Sequence, residues 1–100
     1  MTRRVLVTET ARGHLTTLIS VLTLPSDTAD RVRQALAQLS AFPEIGVPLP
    51  EPFERHGLRF ILGPWRWMLL VYRIDLSSGN VVIIAIEDAR MSSSVTTKSR

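Results

Sequence analysis

Arginine is the residue type in this sequence that could do chemistry. Eleven of the twelve basic residues are arginine, and four of them punctuate apolar runs in the second half of the chain: Arg59, Arg66, Arg73 and Arg90. A guanidinium group within an apolar strand must be paired or functional, because an isolated buried charge is costly. Guanidinium groups hold phosphate bidentately, and a metal-free ribonuclease would need such cations together with a group that moves protons.

Few groups in the sequence could move those protons. His56, just before a predicted strand, titrates near neutral pH, but a lone loop histidine is more often an ordinary surface residue. Tyr72 lies in the middle of a predicted strand, where a packed core aromatic is the simpler interpretation. Residues 91–100 contain no Tyr, His, Asp or Glu, so we expect no catalytic acid there.

Two of the arginines have acidic neighbours that offer a purely structural role. We expect Arg73 to pair with Asp75 or with an acidic residue of the Pro-rich segment 44–56, and Arg90 has Glu87 and Asp88 close by. Arg59 and Arg66 are the stronger candidates for a site, because each lies within an otherwise apolar predicted strand.

Composition limits the class of protein. One hundred residues fit one small domain, and the absence of cysteine excludes disulfides and thiolate metal sites. With two isolated histidines, we expect neither a metal nor a cofactor. No apolar run approaches the roughly 18 residues of a membrane span, so we expect a cytoplasmic protein that does not contact the membrane. The net charge of +3 favours a polyanion or an acidic protein as partner.

Three apolar runs in the second half predict antiparallel strands. Leu58–Leu62, Trp65–Ile74 and Val81–Ile86 are rich in β-branched and aromatic residues, and the breaks at 63–64 and 75–80 are too short for a parallel crossover. The last run is apolar at every position, which predicts a strand inside the sheet with the N-terminal strand on its other side. Alternation places both tryptophans on one face of the long strand, opposite the side chains of Met68 and Tyr72.

The first half predicts a strand and two helices. Residues 3–8 suit a strand, and Thr8 or Thr10 can cap a helix that continues from Ala11. Leu24-Pro25-Ser26-Asp27 ends that helix and starts a second, in which Ser26 or Asp27 can cap the N-terminus, and Phe42-Pro43 ends the second helix.

These elements predict an α+β fold. We expect a four-stranded, mainly antiparallel sheet with the two-helix hairpin packed on one face. Residues 44–56, with three prolines and a glycine, predict an irregular crossing loop. We expect residues 1–90 to form the domain and residues 91–100 to form a polar, frayed tail. The helices can cover one face only, and a partner chain is the candidate for the other.

The order strand, helix hairpin, Pro-rich loop and three-stranded meander resembles the RelE/ParE superfamily of toxins from type II toxin–antitoxin modules. Five segments carry the resemblance: Thr8-Glu9-Thr10-Ala11, Leu39-Ser40-Ala41-Phe42-Pro43-Glu44-Ile45-Gly46, Gly57-Leu58-Arg59, Val71-Tyr72-Arg73-Ile74 and Ile86-Glu87-Asp88-Ala89-Arg90. No single segment would suffice, but five in this order are specific as a set.

The resemblance implies a site at three of the arginines. Arg59, Arg66 and Arg90 fall where RelE-like toxins have basic residues, and His56 is the candidate proton carrier beside them. The sequence departs from the RelE pattern at two points: Ile61 replaces a second basic residue, and the C-terminal tyrosine has no counterpart.

The resemblance also implies the function. We expect a toxin that acts either on translation, as a metal-independent endoribonuclease that cleaves mRNA on the ribosome, or on DNA gyrase, without chemistry of its own on nucleic acid. An acidic, partly disordered cognate antitoxin would neutralise it. The departures from the pattern favour the second target modestly. The alternative is a non-toxic binding domain of the same fold with no catalytic activity.

Overall fold

A computed structural model of the chain describes residues 3–50 and 57–91. Within them, one mixed sheet carries the fold, and its strands lie in the order β1-β5-β4-β3-β2. The strands are β1 (Val5–Val7), β2 (Val47–Pro48), β3 (Arg59–Leu62), β4 (Met68–Ile74) and β5 (Val81–Asp88). β1 pairs with β5 in parallel, and the other neighbours are antiparallel. The predicted α+β architecture, with β5 inside the sheet, is confirmed.

The predicted count of four strands was one short. β2 lies inside the segment that the sequence predicted to be irregular, and Val47 and Pro48 pair with Phe60 and Arg59 of β3. Leu49 N–H and Leu58 C=O, the next facing pair, are joined by a hydrogen bond of 3.0 Å. In this register the backbone nitrogen of Pro48 points away from β3, where no hydrogen-bond donor is needed. A proline is therefore tolerated in this edge strand.

β4 begins three residues later than predicted. Met68 N–H donates to the Trp65 carbonyl (3.0 Å), and Gly63 N–H donates to the Met68 carbonyl (2.9 Å), so residues 65–67 form a turn. Trp65 and Trp67 therefore pack against the helix-side core, whereas strand alternation had placed them on the opposite face. The turn interrupts the two-residue period on which that prediction depended.

Two helices cover one face of the sheet: α1 (Glu9–Leu22) and α2 (Thr28–Ala41). Of the two predicted capping residues, Thr8 caps α1, because its hydroxyl accepts from Ala11 N–H (3.1 Å). The same hydroxyl donates to the Ile83 carbonyl (3.0 Å). Asp27 occupies the N-cap position of α2, but its carboxylate makes no capping bond. No helix in the described part of the chain is long and apolar enough to cross a membrane.

The main core lies between the helices and the sheet. Its buried residues are Ala11, Val32, Leu36, Leu39, Ile61, Met68, Leu70, Tyr72, Val81, Ile83 and Ile86. A second, smaller cluster lies on the other face of the sheet around Leu49, Leu69 and Val71. Leu49, in the segment after β2, is only 1 % exposed, so this face is partly covered by the chain itself.

A bulge in β5 decides which face the end of that strand presents. Val71 pairs with Ala85 and Tyr72 with Ile83, so Ile84 is an extra residue. Ile84 and Ala85 both pack against the second cluster, and Ile86 returns to the main core. Beyond the bulge, Asp88 pairs with Met68 and lies on the helix side of the sheet.

Candidate functional site

Arg59 binds the backbone of the loop between α2 and β2 (residues 42–46, the α2–β2 loop). Its side chain is half-buried, and Nη1 donates to the carbonyl of Gly46 (2.8 Å) and to that of Glu44 (3.3 Å). These carbonyls take up donors that would otherwise be free to hold a phosphate. Arg59 therefore fixes the loop in this structure.

Tyr72, the cross-strand partner of Arg59, holds the same loop from inside the core. Its fully buried hydroxyl donates to the Pro43 carbonyl (2.6 Å) and accepts from Gly46 N–H (2.9 Å). Burial raises the pKa of Tyr72, and the Gly46 hydrogen bond and the Arg59 charge oppose that rise. Because the hydroxyl is enclosed and already bonded as donor and acceptor, Tyr72 acts as the packed aromatic that the sequence predicted.

Arg90 is held by Asp88, one of the two carboxylates that the sequence offered it. Nε donates to Oδ1 (2.9 Å) and Nη2 to Oδ2 (2.8 Å), and the Arg90 backbone N–H also donates to Oδ1 (2.9 Å). The hydrogen bonds from the Arg90 side chain are the main reason that the pKa of Asp88 lies below its ordinary value. The guanidinium carbon also lies 4.5 Å from the centre of the Trp67 ring.

The contact with Trp67 continues into a stack that the sequence did not reveal. The rings of Trp65 and Trp67 are nearly parallel, with an angle of 11° and 5.9 Å between their centres. The guanidinium of Arg31 lies 5.9 Å from the centre of the Trp65 ring. We call Arg31, Trp65, Trp67 and Arg90 the Arg–Trp ladder. It joins α2, the β3–β4 loop and the residues after β5, and each terminal arginine is paired with a carboxylate, Asp27 or Asp88.

Arg66 and Arg73 are exposed. Neither side chain makes a hydrogen bond or ion pair with another residue in the described ranges. The Asp75 carboxylate accepts from the Ser77 and Ser78 hydroxyls instead, and those bonds lower its pKa more than the charge of Arg73 does. The expected ion pair between Arg73 and Asp75 is not formed.

The three arginines predicted to form a site occupy two places. Arg59 pairs with Tyr72, and Arg90 follows Asp88, which pairs with Met68. Those two positions on β4 are four residues apart, or about 13 Å along the strand. The structure places Arg66 and Arg90 beside the same loop, and it directs Arg59 towards the α2–β2 loop.

The other predicted features of the site have separate outcomes. His56 lies outside the described residues, so its assignment stays a prediction. Ile61, where a RelE-like toxin has a second basic residue, is 8 % exposed and belongs to the main core. Within residues 3–50 and 57–91, no group of three His, Asp or Glu side chains could hold a metal ion.

Sequence comparison places the chain in a family of toxins. The family described as "ParE toxin of type II toxin-antitoxin system, parDE" has a model that matches residues 5–92, so the chain belongs to this family. No curated protein matches the sequence. The resemblance to the RelE/ParE superfamily is therefore confirmed.

Solved structures agree with this assignment. A chain of the toxin–antitoxin complex RelBE2 from Mycobacterium tuberculosis is 29% identical, with a TM-score of 0.64 over 88% of this chain and 99% of that one. A mutant of the Escherichia coli toxin RelE in the free state is 17% identical, with a TM-score of 0.65 over 99% of this chain and 95% of that one. A RelE mutant bound to an antitoxin RelB peptide is also 17% identical, with a TM-score of 0.65 over 92% of this chain and 88% of that one. The E. coli structures show that the fold is shared.

Proposed function

We propose that this toxin acts by binding DNA gyrase and does not cleave mRNA. One observation carries the proposal: two of the three arginines that a RelE-like site would need are engaged within the protein. Arg59 binds two backbone carbonyls of the α2–β2 loop, and Arg90 binds both oxygens of Asp88. A phosphoryl-transfer site needs such cations to be free to stabilise charge as it develops on the substrate.

The distribution of proton carriers supports the same conclusion. The Tyr72 hydroxyl is enclosed and serves the α2–β2 loop as both donor and acceptor. Residues 91–100 have no Tyr, His, Asp or Glu. In a ribonuclease the proton-moving role would therefore pass to His56, and a reaction without that role would lose the about 10²–10⁴-fold that general acid–base catalysis typically contributes.

We also propose a cognate antitoxin that is acidic and partly disordered and that folds on binding. The net charge of +3 favours an acidic partner, and several large apolar side chains are available for contact. Those more than half exposed are Val21, Phe42, Val47, Leu76 and Met91. The complex of RelE with an antitoxin peptide, among the structures similar to this chain, supports this proposal.

The target can be tested by pulse-labelling cells after induction of the toxin. Early loss of DNA synthesis, with accumulation of cleaved DNA–gyrase complexes and intact translation, is expected. Co-expression of the product of the adjacent gene should restore growth and serves as the control. Early loss of protein synthesis, with cut mRNA and no gyrase complexes, would contradict the proposal.

Ribosome-dependent mRNA cleavage is the second candidate. One observation favours it: Arg66 lies in the β3–β4 loop, and Arg90 contacts Trp67 of the same loop. If this candidate is correct, Arg66→Ala should reduce cleavage by orders of magnitude while the fold persists. A chain that binds its antitoxin but leaves both syntheses unaffected would instead be a non-toxic binding domain.

A further inference from the structure

The pair formed by Asp88 and Arg90 is asymmetric in its exposure. The side chain of Asp88 is 6% exposed, whereas that of Arg90 is 58% exposed. Among the described residues, only Arg90 donates hydrogen bonds to the Asp88 carboxylate. A buried carboxylate is thus satisfied by a guanidinium that is largely in solvent.

The part of Arg90 that Asp88 occupies is the part that would bind a phosphate. Arginine binds phosphate and carboxylate through the same fork of parallel N–H donors, and here Nε and Nη2 both point to Asp88. The Trp67 ring lies against the guanidinium, with its centre 4.5 Å from the guanidinium carbon. An incoming phosphate therefore meets an arginine whose Nε–Nη2 fork is already taken by Asp88, which leaves only the Nη1 side of the guanidinium unengaged by that carboxylate.

The protein holds this carboxylate in a fixed position. Asp88 is the last residue of β5 and pairs with Met68, a fully buried core residue. The bulge at Ile84 sets the face on which Asp88 lies, and Ala89 N–H donates to the Trp67 carbonyl (2.7 Å) directly after it. The sheet therefore fixes the backbone from which the carboxylate extends, and the side chain itself is only 6% exposed.

We propose that Asp88 is an internal occupant of a phosphate-binding site at Arg90 and keeps that site closed. The ligand that it excludes is a phosphate group, and exposed Arg66, which precedes Trp67 in the β3–β4 loop, supplies a second cation for it. The proposal does not depend on gyrase as the target. It states that the chain retains the cations of a phosphate site and closes that site with one carboxylate.

Removal of the Asp88 charge is the direct test, with a short single-stranded RNA as probe and fluorescence anisotropy as readout. Asp88→Asn should bind the RNA at least about tenfold more tightly, as expected when a charge-assisted fork is released. Asp27→Asn is the matched control, because Asp27 pairs with the other terminal arginine of the ladder and its removal changes the net charge equally. Since that pair is half-exposed, Asp27→Asn should change RNA affinity by less than about twofold.

Two further measurements keep the test decisive. The double variant Asp88→Asn/Arg90→Ala should lose the gain in RNA affinity. In the unchanged protein, the Arg90 Nε–H resonance should not shift in NMR spectra when the RNA is added, because Asp88 already holds that group. This measurement applies even if Asp88→Asn does not fold, which circular dichroism would reveal.

The proposal is overturned if folded Asp88→Asn binds RNA no more tightly than Asp27→Asn does. It is equally overturned if the Arg90 Nε–H resonance of the unchanged protein shifts when RNA is added. Competition with inorganic phosphate then identifies the source of the ligand. Displacement of RNA from Asp88→Asn at millimolar phosphate supports a site for a free phosphate group, and no displacement supports a site that needs the nucleic acid chain.

Discussion

The hydroxyl of Tyr72 should contribute a large part of the stability of the fold. In Tyr72→Phe, the Pro43 carbonyl and Gly46 N–H lose their partner in a fully buried position. Each unsatisfied buried group costs about 1–3 kcal/mol. Both groups lie in the α2–β2 loop, so one relaxation of that loop would partly restore both hydrogen bonds. We therefore expect the free energy of unfolding to fall by about 2–4 kcal/mol, less than the sum of two full penalties. The free energy of unfolding of a small domain is only about 5–15 kcal/mol in total.

Urea denaturation followed by tryptophan fluorescence would measure this difference. Ser77→Ala is the control, because it also removes a hydroxyl that donates a hydrogen bond, but in an exposed turn. It should change the free energy of unfolding by less than about 0.5 kcal/mol. Amide exchange at Gly46 should also accelerate in Tyr72→Phe. If Tyr72→Phe unfolds within about 0.5 kcal/mol of the unchanged protein, our account of the loop is wrong.

Three further outcomes follow from described contacts. Gly46→Ala should destabilise the protein by more than about 2 kcal/mol in urea denaturation, because a Cβ there would overlap the Tyr72 hydroxyl. Gly13→Ala is the control and should stabilise the protein by about 0.5–1 kcal/mol, because a Cβ there has nothing within 4 Å. Equal effects of the two substitutions would contradict this packing. The pKa of Asp88 is lowered in the folded state, so the stability that this carboxylate contributes is present above about pH 4 and is lost as the pH falls through its folded pKa. Unfolding measured between pH 2 and 5 should therefore depend less on pH in Asp88→Asn, and an unchanged dependence would refute this. The pKa of Tyr72 is raised, so the unfolded chain releases that proton first and stability should fall above about pH 10; in Tyr72→Phe this loss should be smaller, and an identical alkaline loss in both proteins would contradict it.

The sequence predicted the elements that carry strong local signals. Continuous apolar runs gave β3, β4 and β5, and the Thr8 cap marked the start of α1. β2 was missed because a proline in a two-residue strand reads as a loop, and only pairing with β3 makes it a strand. The turn at residues 65–67 was missed because its sequence is as apolar as the strand that follows.

The candidate site was predictable only where partners are close in sequence. Asp88 is two residues from Arg90, and the sequence offered it as a partner. Arg31 and Trp65 meet only because α2 packs beside the β3–β4 loop, and no local pattern indicates that contact. Nη1 of Arg59 likewise donates to two carbonyls of the α2–β2 loop, more than ten residues away in sequence. Charge composition alone could not distinguish an arginine that is free from one that is engaged.

The extra residue at Ile84 changes the phase of everything that follows it in β5. If the same sequence ran through β5 without a bulge, the alternation that starts at Ile83 would place Ala85 and Glu87 on the helix side and Asp88 on the opposite face. A relative whose β5 has no bulge would be one residue shorter in this strand. An alignment without a gap would then match Asp88 to a residue on the opposite face of the sheet. Whether an acidic residue in this position closes an arginine or faces solvent therefore depends on strand length as well as on residue identity.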